Sequence, residues 1–166
     1  MSFRSNYKTH AFSREEVLKE AENYIRSAVA HNGCAYGDYV INVVVPLNYC
    51  KKFIHTLDFN TLNLWFKTEQ DYVDFVKENQ YEPTKIKIKI DISVSSTYPV
   101  NDFSINLLSW NGKELVANSL FYSVDYLIKC IMCRVCHILP GYRSFSLEDS
   151  GARTHINKFG QTFRIL

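Results

Sequence analysis

The chain has 166 residues, 46% of them apolar and 22% charged, with a formal net charge of +2. That length and composition suit one globular domain with a real core. The small charge does not advertise a polyanion partner, and no apolar run approaches the ~18 residues of a membrane span.

Residues 1–12 read as an N-terminal arm and residues 13–166 as a single domain. Met1 to His10 is polar and lacks the apolar centre of a secretory signal. Five cysteines, an odd number, then read as reduced thiols in an intracellular setting. Ser13-Arg14-Glu15-Glu16 is a capping box. Val17, Leu18, Ala21, Tyr24, Ile25, Ala28 and Val29 follow at helical spacing. Asn32-Gly33 is the expected stop, with glycine as the left-handed residue. Cys34-Ala35-Tyr36 reads as a short buried strand ended by a turn at Gly37. Tyr39 to Val45 is open between strand, which its β-branched residues favour, and helix. Leu47 to Ile54 reads as a helix beyond Pro46, and Leu62 to Phe66 as a strand. Thr68-Glu69-Gln70-Asp71 caps a second helix, with Tyr72, Phe75 and Val76 facing inward and Asn79 near its end.

Lys85 to Val94 alternates strictly, with Ile86, Ile88, Ile90, Ile92 and Val94 on one side, the pattern of a half-buried strand. Phe103 to Leu108 reads as another strand. The Asn-Gly turn in Trp110-Asn111-Gly112-Lys113 returns Glu114 to Ala117 beside it. Ser123 caps a helix expected to run to about Leu139, ended by Pro140-Gly141. Arg153 to Phe159 reads as a last short helix and Thr162 to Leu166 as a terminal strand. The class is α/β (α+β), a mixed sheet flanked by helices. Tyr72, Phe75, Tyr122 and Tyr126 fall at helical spacings and are expected in the core.

Two side-chain groupings invite chemistry. Cys130, Cys133, Cys136 and His137 resemble a zinc cluster, but on one helix three thiols diverge along the axis, and buried reduced cysteine behaves as a small apolar residue. Packing is the reading taken. Lys85, Lys87 and Lys89 form a stripe open to nucleic acid or phosphate, or to the plainer role of a solvated strand face or guarded edge. The five histidines are scattered, and neither a P-loop nor a Rossmann fingerprint is present.

Gly37-Asp38, then Thr61-Leu62-Asn63-Leu64-Trp65-Phe66, then Asp91, Tyr98 to Leu108, and Arg153 to Lys158 with Gly160 together resemble small nucleotidyltransferase-fold proteins of large (giant) DNA viruses. The resemblance covers roughly residues 13 to 166 and implies a nucleotidyltransferase-like sheet. In that family the turn reads Gly-Gly-Tyr-Val-Arg-Asp and the strand Asp-Ile-Asp-Leu-Trp-Phe. Here Asp38 takes the second glycine's place, and Ile41 and Asn42 stand for Arg and Asp. Thr61 and Asn63 occupy the two metal-binding aspartate positions, and Asp91 alone matches a carboxylate. Thr and Asn offer neutral oxygens where a divalent ion pair needs anionic ones. Asp58 stands three residues from Thr61, which reverses the face on a strand.

The expectation is therefore an inactive nucleotidyltransferase-fold protein, a pseudoenzyme serving as a binding or assembly module. Its partner is expected to be another protein or a viral assembly, in the host-cell cytoplasm or the virion. The alternatives are residual transfer through Asp91 with Asp38 or Asp58, for which magnesium is expected, and nucleic-acid binding by the lysine face.

Overall fold

The computed structural model describes residues 13–49, 61–80, 88–142, 154–156 and 161–166. Helix α1 (Arg14–Ala30) starts at the expected capping box. Ser13 Oγ accepts from the Glu16 N–H, and Glu16 Oε1 accepts from the Ser13 N–H, both at 3.1 Å. Ala21, Tyr24, Ile25 and Ala28 are its buried stripe. Its stop differs from expectation: the left-handed residue is Asn32, at φ 59°, a conformation asparagine tolerates better than most side chains. Gly33 serves packing instead. A Cβ there would lie 2.7 Å from Phe66 Cε1 and 3.0 Å from the Ala28 carbonyl oxygen.

Strand β1 (Gly33–Tyr36) leads through Gly37, at φ 74°, into a π-helical turn (Val40–Val44) that continues as α2 (Val45–Tyr49). Tyr39 to Val45 is thus helical. Gly37 lifts the chain off the sheet, every residue from Tyr39 to Val45 is buried, and enclosure on all sides outweighs strand propensity. Pro46 stands within this continuous helical run, where it donates no backbone hydrogen bond, and the wider π-helical turn lies directly before it. The remainder of the stretch to Ile54, and Asp58, lie outside the described residues.

Strand β2 (Thr61–Phe66) is followed by α3 (Glu69–Glu78), capped by Thr68 Oγ1, which accepts from the Asp71 N–H at 3.1 Å. Phe75 is its one buried residue, and its ring and that of Tyr72 meet Phe66 at 5.0 and 6.1 Å. Val76, expected to face inward, is exposed; about 100° of helical rotation turns it away from the narrow stripe at Phe75. Strand β3 (Lys89–Val94) follows. Ile88 is buried and Ile90 and Ile92 pack on the core, while Val94 is exposed.

Residues Ser104–Leu107 form a 3-10 turn, not the expected strand. The Ser104 N–H donates to the His137 carbonyl, and Ser104 Oγ accepts from the His137 N–H, both at 2.9 Å. This tie pins Ser104 across to the C-terminal segment and bends the chain before β4 (Leu108–Trp110). The hairpin to β5 (Leu115–Ala117) is as expected, with Gly112 at φ 88° and Asn111 Oδ1 accepting from the Lys113 and Glu114 N–H groups at 2.8 Å. Helix α4 (Val124–Cys133) is capped by Ser123 as foreseen. It ends well short of Leu139, because Arg134 turns left-handed at φ 59° and feeds β6 (Val135–Cys136). Where a helix was expected over Arg153 to Phe159, the described part is β7 (Thr154–Ile156), paired with β8 (Thr162–Ile165). The β-branched ends of Thr154-His155-Ile156 suit that pairing.

The large sheet has strand order β3-β2-β1-β4-β5 and the small one β6-β8-β7. In the large sheet β2 and β3 run parallel and the other neighbours antiparallel. The architecture is a mixed α/β (α+β) sheet with helices packed on it, as composition and pattern imply. Ala35, Leu62, Leu64 and Phe66 alternate onto one face and are fully enclosed. Gly33→Ala is expected to lower stability by about 1–3 kcal/mol through overpacking against the Phe66 ring. Urea unfolding checks this, and an unchanged midpoint would mean the ring swings aside freely.

Candidate functional site

The opposite face of the large sheet carries the polar positions. The registers pair Ser109 with Tyr36, Tyr36 with Asn63, and Asn63 with Asp91. Paired residues point to the same side, so these four side chains form one row across β4, β1, β2 and β3. Thr61, one step along β2, stands opposite Lys89. Sequence reasoning placed Thr61, Asn63 and Asp91 together, and the register does bring Asn63 beside Asp91.

The row is short of charge. Asp91 is its one carboxylate, and Lys89 Nζ lies 3.8 Å from Asp91 Oδ1 with both side chains well exposed. Burial raises the Tyr36 hydroxyl above its ordinary pKa; a hydrogen bond with Ser93 opposes this and the nearby Asp91 charge adds to it. Tyr36 therefore stays protonated near neutrality. Asn63 Oδ1 is buried and has no hydrogen-bond partner. Gly37 closes over this residue, and a Cβ at 37 would lie 2.7 Å from Asn63 Nδ2. Asp38 follows Gly37 at the start of the buried helix, where an acidic side chain suits the helix dipole. Trp65 and Tyr98 fill the same face further along: their rings cross edge-on at 5.3 Å, Trp65 Nε1–H donates to the Ser95 carbonyl, and Tyr98 O–H donates to the Asn106 carbonyl.

The cysteine cluster does not lie on one helix. Cys130 and Cys133 are on α4, the left-handed Arg134 intervenes, and Cys136 is on β6. Cys130 and Cys136 are buried and Cys133 is exposed. His137 Nε2 meets the Tyr126 hydroxyl at 2.6 Å and stacks on Tyr122 at 5.4 Å. Tyr126, expected in the core, is thus on the surface, 38% exposed. Among the described residues no three His, Cys, Asp or Glu side chains gather as a metal site. Lys85 and Lys87 lie outside the described residues.

Two features escaped the sequence reading. A pocket of about 300 Å³ opens between α1, α2 and β4, lined chiefly by Leu18, Tyr39, Val43, Val44, Leu47 and Trp110. On its wall, Glu22 Oε2 accepts from the Tyr39 O–H at 3.1 Å and Oε1 from the Trp110 Nε1–H at 3.3 Å. Nothing local in the sequence joins these distant residues. The second feature is Leu120-Phe121, 99% and 86% exposed. Its signal in the sequence is two adjacent bulky apolar residues between Ser119 and Ser123. Comparison with protein-family models, with curated proteins and with solved structures finds no match.

Gly37→Ala is expected to destabilise by about 1–2 kcal/mol, from its left-handed backbone and the clash with Asn63. In an Asn63→Ala background the steric part should vanish, giving a coupling of at least about 0.5 kcal/mol in a double-mutant cycle; strict additivity would deny the contact. Burial pushes the Cys34 and Cys136 thiols up to about 11. At pH 8 only about one in a thousand of each is thiolate, so alkylation mapped by mass spectrometry should mark Cys133 well before either. Their neutral burial favours the fold below the ordinary thiol pKa, and that contribution is lost as pH rises through about 11. Equal labelling of all three at pH 8 would contradict this placement.

Proposed function

We propose that this chain is a nucleotidyltransferase-like domain without the reaction, retained as a binding or assembly module inside the cell or in a viral particle. The observation that carries the reading is the register pairing Asn63 with Asp91. It supports the alignment of Thr61 and Asn63 with a metal-binding pair, and it leaves one carboxylate there. Two divalent ions bridging a triphosphate need several anionic oxygens. Half-exposed Asp91, itself beside Lys89, and the neutral oxygens of Thr61 and Asn63 do not fit such a pair. Each positioned electrostatic group removed commonly costs ~3–4 kcal/mol of transition-state stabilisation, and two carboxylates are missing.

The binding half of the proposal draws support from the surface. Leu120 and Phe121 stand in water as a pair, and exposed aromatic anchors mark interfaces. No helix among the described residues is long and apolar enough to cross a membrane. Incubation with labelled nucleoside triphosphates and magnesium or manganese should give no more transfer than the Asp91→Asn variant gives. Transfer that depends on Asp91 would overturn the pseudoenzyme reading in favour of residual catalysis.

A further inference from the structure

We propose that this chain recognises a second copy of itself, with Leu120 and Phe121 of one copy seated in the α1–α2 pocket of the next. The proposal rests on the assembly reading above and names its partner. The insert is a built feature. Ser119 Oγ accepts from the Phe121 N–H at 2.9 Å and the Tyr122 N–H at 3.0 Å, fixing the turn that presents both side chains. Just beyond it, Ser123 Oγ caps α4 through the Tyr126 N–H at 3.1 Å. The backbone that carries the pair is therefore set before any partner arrives, which lowers the entropy lost on binding.

The pocket matches that insert in chemistry and size. An apolar cavity of about 150 Å³ admits a benzene ring, so about 300 Å³ takes an aromatic ring with an aliphatic neighbour. Glu22 already accepts from Tyr39 and Trp110, so an apolar occupant strands none of these polar atoms. Within one molecule the insert does not fill the pocket, since Leu120 and Phe121 are almost wholly exposed. Lys19 on the rim of the pocket and Asp125 in the first turn of α4 beside the insert are of opposite sign, which favours this docking over one of like surfaces.

The two surfaces differ, so the contact is head-to-tail: each added copy leaves one insert and one pocket free, and the assembly closes into a ring or grows as a filament. Two side chains bury only a few hundred Å², less than the roughly 1,200–2,000 Å² of a stable interface. The association is accordingly weak and depends on concentration.

Sedimentation velocity of the full chain from about 5 μM to about 500 μM tests the proposal. The wild type should gain mass with concentration. The Leu120→Ser/Phe121→Ser variant loses the insert, and Leu47→Glu, at an exposed pocket position, spoils the pocket. Each alone should weaken association by at least about tenfold. Mixed in equal amounts, the intact pocket of the first and the intact insert of the second should form a one-to-one dimer and nothing larger. Circular dichroism verifies that both are folded, and Leu18→Glu replaces Leu47→Glu if that variant is not. A wild type that stays monomeric, association that survives the pocket substitution, or a mixture that yields no dimer would each overturn self-recognition. None of these outcomes touches the nucleotide assay, so failure of the dead-enzyme reading is told apart.

Discussion

The closeness of Gly37 to the Asn63 side chain is the constraint on which the polar face depends. A Cβ at 37 would crowd the Asn63 amide, and the backbone there is left-handed. The chain therefore leaves β1 at once and enters a buried helical segment whose apolar side chains carry much of the core. The same contact fixes where Asn63 lies, and the parallel register then sets Asp91 beside it. The strand registers determine which side chains share the row, and the glycine lets Asn63 pack close beneath the turn.

Along that row electrostatics decides what is feasible. Hydroxyls, an amide and one carboxylate make a surface able to exchange hydrogen bonds, with Asp91 as the one negative charge in the row. The buried, unpartnered Asn63 Oδ1 carries a desolvation penalty of about 1–3 kcal/mol. Asn42, enclosed in the π-helical turn with both amide atoms unpartnered, is a second strained point. Both residues stand where the resemblance implies a carboxylate.

Local signals in the sequence were legible where a single element satisfies itself. The capping box at Ser13, the caps at Thr68 and Ser123, the turn at Asn111-Gly112 and the stretch Leu62 to Phe66 needed no tertiary knowledge. What escaped depends on contacts between distant segments. Nothing near Ser104 announces that its backbone and hydroxyl bind His137, so the local residues point to a strand where the chain forms a 3-10 turn. Arg134 gives no compositional warning of a left-handed stop, so α4 was drawn too long and three cysteines were set on one rod. Tyr126 obeyed helical spacing yet faces outward, where its ring lies parallel to Tyr122 within 9°. The grouping of Asn63 with Asp91 is what the family resemblance implies, whereas the Glu22 bridge between Tyr39 and Trp110 has no precursor in the sequence.

The parallel pairing of β2 with β3 bears on the time course of folding. A parallel neighbour needs a crossover, here through α3, whereas a hairpin such as β4–β5 closes over a short loop. Long loops delay the rewarding contacts, so pairings distant along the chain form late. By that measure β4–β5 closes before β2–β3, and the β1–β4 seam, which joins Ala35 to Trp110, closes last; until then the hydrogen-bonding edges of β1 and β4 stand open to wrong partners.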